Sequence, residues 1–315
     1  MPFSGVELSA ARYGKDKVRV LRVVRGEGWH DVVEYEVCAL VEGDISTSYT
    51  QADNSVVVAT DSIKNITYYI AKTSAFVLVP EIFGLHLGAF LLGKYEHLHR
   101  AFITVTQLRW QRITVDGKKH PNSFWRDGDE KRTVNIEIDA TQGKDAMTAR
   151  VTSGIRDLLV LKSTGSAFSG FVRDEFTTLV EVDDRILSTS IDLQYEFASI
   201  SLGEHKSLEK KLEEIKKSHE FDRFAARARE ITLAIFAKDE SASVQATLFR
   251  MATEIIKENQ HVQRASYALP NKHYVPVDMK YIGVDNMTPA KAEVFCPLAA
   301  PSGLITASVD RRAAE

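Results

Sequence analysis

Few residues in this sequence have a type and spacing that chemistry would need, and those few are scattered. In "ARYGKDKV", residues 11–18, Lys15 follows Gly14 at the entrance to a strand. A lysine desolvated in a pocket favours its neutral form and accepts protons, whereas an exposed one is a solvated charge. In "VATDS", residues 58–62, Thr60 and Asp61 stand where a β-branched run gives way to a helix start. A hydroxyl there either closes the helix boundary or, with the free backbone N–H groups of the first turn, faces something outside the chain. In "LPNKHYVPVD", residues 269–278, Asn271 and His273 alternate. If that segment is extended, both side chains face one way; Asn donates and accepts, and neutral His passes a proton between partners. Turn polarity and a surface imidazole explain the same pattern without chemistry.

Three further stretches offer recognition rather than proton transfer. "SAFSGFVRDEFTTL", residues 166–179, sets Phe168 and Phe171 among small residues, so one ring can stack on a flat ligand while the other enters the core. "DRILSTS" supplies Arg185, whose planar fork suits a flat group with adjacent acceptors, unless it pairs with Asp183 or Asp184. "SASVQAT" puts Val244 and the two-faced amide Gln245 at the first turn of an amphipathic helix, a place where a polar residue needs no function. The "HLH" at 97–99 lacks a further ligand at any metal-site spacing, and no phosphate loop, dinucleotide glycine signature or G-x-S-x-G elbow is present. On these residues alone the expectation is a soluble α+β protein, with an enzyme acting on a flat polar ligand as one reading.

The elements that must position these residues follow from periodicity. Alternation predicts antiparallel strands over 17–25 and 32–45 and a short strand near Val57. Helices are expected from about Asp61 to Lys72 and from Pro80, the latter carrying Phe83, Leu87 and Leu91 at helical spacing. Strands resume at 101–115, read as one run, and at 131–139. The second half repeats that order: strands at 149–161 and 189–198, helices at 207–218 and 222–237 and at "SVQATLFRMATEIIKEN", then strands at 263–269, 273–281, 291–296 and 303–309. This is an α+β arrangement of antiparallel sheets with helices on one face, and its open strand edges suggest continuation within or between subunits.

Composition sets the outer bounds. The chain has 315 residues, enough for one large or two medium domains, and 40 Lys and Arg against 43 Asp and Glu give no electrostatic reason to expect a nucleic-acid partner. No uncharged apolar span is long enough for a membrane helix, and the first residues lack a signal peptide's pattern. Cys38 and Cys296 lie in apolar strand-like runs and read as buried thiols in a reducing compartment. The ending "VDRRAAE" is not a peroxisomal address, and a cytoplasmic location is expected.

Seven separated segments in fixed order, "RYGKDKVRV", "SYTQADNSVVVATDSIKN", "LRWQRITVDGKKHPNSFWRD", "RDEFTTL", "DRILST", "SASVQAT" and "LPNKHY", together resemble the urate oxidase family, and the resemblance spans nearly the whole chain. It implies two tandem tunnelling-fold domains, 1–148 and 149–315, and a homotetramer with active sites between subunits. It implies oxidation of urate by molecular oxygen and water to 5-hydroxyisourate and hydrogen peroxide, with neither cofactor nor metal. On the matching segments, Phe168 would stack on the substrate, Arg185 would clamp its carbonyl and ring-nitrogen edge, and Gln245, aided by the Val244 backbone, would hold the opposite edge. Asp61 would bind urate through its backbone N–H, and it and Thr60 would come from a neighbouring subunit, with Lys15 and Thr60 on different chains. Lys15, Thr60 and His273 match the proton-transfer set, and Thr60 and Asn271 flank the oxygen or water position. The "SFWRDGDEKR" interval and the charged segment around 204–220 are not catalytic matches and bear on packing or loop stability. A non-oxidative purine or pterin enzyme of the same fold, or a catalytically silent scaffold, are the alternatives.

Overall fold

The computed structural model describes residues 5–126, 128–203 and 207–312. The chain divides into two compact units. The first comprises residues up to Gly154 together with Tyr195–Arg227 and His261–Gln263; the second comprises Ile155–Gln194, Ala228–Gln260 and the residues from Arg264 on.

In the first unit, β1 (Tyr13–Arg25) pairs antiparallel with β2 (His30–Gly43). The ladder contains a bulge: Lys15 faces Ala39 and Val18 faces Val37, so three steps along β1 match two along β2. Within the bulge Lys17 has φ 55°, and its N–H turns back to the Asp16 carboxylate at 2.8 Å. After α1 (Ser46–Thr50) a single 3₁₀ turn, Asn54–Val56, leads to α2 (Thr60–Thr73) and α3 (Pro80–Lys94). Then follow β3 (Leu98–Leu108), the ribbon β4 (Gln111–Val115) and β5 (Lys118–Trp125), and β6 (Lys131–Asp139). The long β7 (Met147–Lys162) and β8 (Leu187–Phe197) each pass from one unit into the other, and β9 (Ile200–Gly203) pairs with the start of β7. The sheet of the first unit runs β1-β2-β3-β6-β7. Helix α4 (Leu208–His219) belongs to this unit, and α5 (Phe221–Lys238) begins in it.

Period-two patterning explains which face is covered. Val33, Tyr35, Val37, Ala39 and Val41 of β2, Ala101, Ile103 and Val105 of β3, and Val134, Ile136 and Ile138 of β6 are all buried. Against these rows lies α3, which is buried nearly all round rather than along one stripe. Two glycines permit the close approach: a Cβ on Gly84 would stand 2.5 Å from Ile136 Cδ1, and one on Gly88 2.7 Å from Ile138 Cδ1. A carboxylate enters this core with α3. Glu81, fully buried, accepts from Arg132 of β6 at 2.6 Å and from the Ser153 hydroxyl at 2.7 Å, while Arg132 also reaches Asp222 of α5 at 2.6 Å. Fully buried charges persist only when paired in this way.

In the second unit the order is β7-β8-β10, where β10 spans Val262–Pro276. The final strand of the chain, β12 (Leu304–Asp310), pairs with Arg264–Pro270 of β10, and β11 (Phe295–Leu298) with His273–Pro276. Helix α6 (Val244–Glu258) buries Val244, Leu248, Met251 and Ile255, the stripe read from its spacing, and packs beside β12.

Four expectations need correction. The stretch around Val57 is not a strand: Asp53 caps the 3₁₀ turn through Ser55 N–H, and Val58 N–H donates to the Tyr13 hydroxyl at 2.7 Å instead of to a ladder. The run 101–115 breaks at Arg109 and Trp110, because Trp110 Nε1 donates to Glu34 and Arg112 clamps the separate β4–β5 ribbon through His30, Asp31, His120 and Pro121. The runs 263–269 and 273–281 merge through Pro270 into one strand. Cys38 is half-buried and Cys296 exposed, so neither is a core thiol. Among the described residues no helix is long and apolar enough to cross a membrane.

Candidate active site

Four of the residues singled out above line one cavity of about 700 Å³ in the second unit: Phe168, Arg185, Asn271 and His273. Asn271 and His273 are two apart on extended β10, which turns both toward the same side. Arg185 lies just before β8, and Phe168 lies on the loop after β7. A two-residue backbone bridge joins that loop to the segment before β8: Phe168 N–H donates to Val182 O at 2.8 Å, and Val182 N–H to Phe168 O at 3.0 Å. The cavity wall also includes the apolar side chains Leu179, Val182, Met287 and Phe295.

The electrostatics of this cavity favour a polar guest. Arg185 forms no ion pair with Asp183 or Asp184, which removes the bland explanation of its presence. Its guanidinium instead lies 5.0 Å over the Phe168 ring, and its Nε is buried without a hydrogen-bond partner. Burial alone moves the Arg185 guanidinium below its ordinary pKa. Asn271 Oδ1 is also buried and unpartnered, while its backbone N–H donates to Gly303 O at 2.8 Å. Buried polar atoms are nearly always satisfied, so these two orphans on one cavity offer hydrogen-bonding capacity to a ligand or to water. Phe171 does not enter the core; its ring stacks on Phe168 with centroids 4.8 Å apart. Val244 and Gln245 are not on the cavity wall. Val244 is buried and Gln245 is exposed at the start of α6, where Ser243 caps Ala246 N–H and its hydroxyl donates to the Gln245 amide oxygen at 3.1 Å.

The remaining candidates belong to the first unit. Thr60 is not the cap of α2: that position is Ala59, whose side chain makes no cap bond, and Thr60 is the first helical residue. The Ser62 and Ile63 N–H groups donate to Ala59 O, which leaves the Thr60 and Asp61 N–H groups without a helix-internal acceptor. The Asp61 carboxylate is occupied on its own helix by Lys64 at 2.5 Å and Asn65 at 2.9 Å, holding its pKa below the usual range, with a further contribution from Lys15. Lys15 and Asp61 are therefore within electrostatic reach in one chain. That proximity within one chain bears on the expectation that Lys15 and Thr60 lie on different chains, and its physical cause is the bulge in β1. The bulge pairs Lys15 with buried Ala39 and so turns it to the helix-covered side of the sheet, where α2 packs. Gly14 is needed beside it, because a Cβ there would stand 1.9 Å from Ala39 O.

Residue types alone did not reveal two features. Ser166 Oγ is buried without a partner on the loop that carries Phe168. Asp184, adjacent to Arg185 in sequence, turns away from its guanidinium toward that same loop. A Thr-Gly-Ser turn at 164–166 preceding the phenylalanine was the available signal, since such turns need an acceptor. Among the described residues no group of three or more His, Cys, Asp or Glu side chains is placed to hold a metal ion.

With this geometry in place, comparison with known proteins is direct. The uricase family profile matches residues 11–137 and 151–306. Uricase from Aspergillus flavus is 47% identical over 309 residues, covering 96% of this chain and 97% of that protein, and uricase from Emericella nidulans is 45% identical with 97% of each covered. The crystal structure of uricase from Arthrobacter globiformis superposes with a TM-score of 0.84 at 31% identity, covering 99% of this chain and 97% of that one. A uricase structure from Bacillus fastidious shares the fold, with a TM-score of 0.76 at 22% identity over 96% of this chain and 94% of that one. The chain belongs to the uricase family and is, with it, an oxidoreductase.

Proposed function

We propose that this chain converts urate, molecular oxygen and water into 5-hydroxyisourate and hydrogen peroxide, without a metal or an organic cofactor. The observation that carries this reading is the cavity of the second unit, where an aromatic ring, an unpaired guanidinium and an orphaned carboxamide oxygen converge. Urate is a rigid plane whose rim bears N–H and C=O groups. Phe168 supplies a face for the plane, Arg185 a fork for one edge, and Gln245 with the Val244 backbone the opposite edge. The free Asp61 N–H adds a donor. Lys15, Thr60 and His273 move the proton whose loss makes the purine electron-rich enough to pass electrons to oxygen, and Asn271 with Thr60 holds the oxygen or water above the ring. Recombination gives a peroxide on the purine; water then replaces it, and hydrogen peroxide leaves with the electrons. Atoms balance with one urate, one oxygen and one water consumed.

The same reading includes two tandem tunnelling-fold domains, 1–148 and 149–315, and a cytoplasmic homotetramer that binds neither nucleic acid nor membrane. In its sites the Lys15, Thr60 and Asp61 of one chain meet the Phe168, Arg185, Gln245, Asn271 and His273 of another. The decisive experiment uses chelator-treated protein verified to be free of metal. Urate loss, oxygen uptake and peroxide formation are expected in equal amounts. Activity lost on chelation and restored by one stoichiometric metal would refute the cofactor-free reading; absence of urate turnover in all preparations would refute the substrate.

A further inference from the structure

Asp184 stands at the corner where three parts of the cavity wall meet. Its carboxylate accepts the backbone N–H groups of Gly165 at 2.8 Å and Ser166 at 3.4 Å and the Thr164 hydroxyl. These three donors turn the carboxylate to the loop, and it forms no ion pair with the Arg185 guanidinium. These bonds hold the carboxyl below its ordinary pKa, the Thr164 hydroxyl most of all. The loop fastened on this side is stitched on its other side to the residues before α6. Ser241 N–H donates to Gly165 O at 3.0 Å, and Ala167 N–H donates to Ser241 O at 3.1 Å. Within that second anchor, the Thr247 hydroxyl of α6 bonds the Ser241 hydroxyl and donates to the Asp239 carboxylate.

We propose that Asp184 is the positioning residue of this cavity, fixing the Phe168 ring and the Arg185 fork relative to each other and, through residues 164–168, to the start of α6 that bears Val244 and Gln245. The inference rests on reading the cavity as the urate site. The loop that carries Phe168 has only isolated bridges, Ser166 with Ser241 and Phe168 with Val182, and Arg185 precedes its strand, so no extended ladder sets their separation. A planar ligand that must be stacked and gripped at its edge at the same time tolerates little error in that separation. An ionised carboxylate bound to several N–H donors gives stronger and more directional restraint than neutral partners would. Asp184 lies on the cavity wall, but its carboxylate is taken up by the loop donors, and in this proposal it acts through Phe168 and Arg185.

Asp184→Ala and Asp184→Asn separate this role from bulk stability. The Asn carboxamide oxygen still accepts the Gly165 and Ser166 N–H groups, and its NH₂ can donate to the Thr164 hydroxyl, so most of the geometry survives without charge. Asp184→Ala is expected to weaken binding of a non-oxidisable urate analogue by roughly tenfold to a hundredfold and to raise KM more than it lowers kcat. In the ligand-free protein it should release the Gly165 and Ser166 amides to faster hydrogen exchange, while Asp184→Asn restores most of both properties. If Asp184→Ala does not assemble, Thr164→Val, which removes one donor to the same carboxylate, should shift both readouts in the same direction by several-fold. Unchanged analogue affinity, or amides as protected as in wild type, overturns the proposal. The exchange measurement needs no substrate: a wild-type protein inert toward urate would overturn the functional reading, while the exchange result would still decide the role of Asp184.

Discussion

His219 ends α4 with its ring between two others, His261 at a centroid distance of 4.5 Å and Phe221 at 5.2 Å, while Phe197 meets its edge at 6.1 Å. Burial foremost, then the neighbouring His261, lowers its pKa from 6.5, and a contact with the Ile215 carbonyl opposes them. Its nearest charged neighbour along the chain is Glu220, which is itself paired with Arg223. The sign is that of a histidine kept neutral by folding. Between 6.5 and the lower folded value the unfolded chain binds a proton that the folded chain does not. The stabilisation is complete above the unfolded pKa and is lost as pH falls through that window. His219→Phe should keep the stacking and flatten the decline of Tm on acidification, as thermal melts across that range would show; an identical decline in the variant would clear His219. Residue types were legible at this scale, and their partners were not. Arg185 and Asp184 are adjacent in sequence and invite an ion pair, yet Asp184 bonds residues 18 and 19 positions away.

At the scale of elements, the Arg132–Glu81 pair ties β6 to the first turn of α3 and, through Asp222, to the first turn of α5. Both charges are deeply sequestered, and the carboxylates hold the Arg132 pKa above its ordinary value against the opposing effect of burial. Removing one partner strands the other. Arg132→Met should destabilise the protein by about 3–5 kcal/mol in denaturant unfolding, and the further change Glu81→Leu should recover much of that loss. A double variant no more stable than the single one would show that the pair is not what couples these elements. Periodicity made most elements readable because the rows of β2, β3 and β6 alternate in and out without interruption. It failed at residues 109–125, where the Arg112 clamp and the Trp110–Glu34 bond overrule alternation through contacts distant in sequence.

At the scale of the whole molecule, the proposed tetramer makes a sharp claim about complementation. In the proposed site Lys15 and Thr60 share one side and Arg185 belongs to the other, a partition in keeping with the proximity of Lys15 and Asp61 within one chain. Co-expressed Lys15→Ala and Arg185→Ala chains should form mixed assemblies with intact sites at roughly a quarter of positions under random association. Lys15→Ala mixed with Thr60→Ala should yield none. Oxygen uptake by purified, differently tagged hybrids tests both cases; recovery in the second pairing, or none in the first, would contradict the proposed partition. The repeated order of elements and the open edges suggested assembly from sequence alone. Which residues share a side was not readable there, because it depends on how β1 meets α2.

That meeting turns on the bulge between Lys15 and Val18. Strand side chains change face at every step, so the extra residue works as a phase shift. It reverses the direction of everything before it and leaves Val18, Val20 and the core beyond in register. Regular pairing of the same residues without the bulge would set Lys15 opposite Leu40, on the uncovered face, with every proposed catalytic residue still present. In this segment register carries chemical information of its own: the same lysine, threonine and histidine, paired one step apart here, would not make the same site.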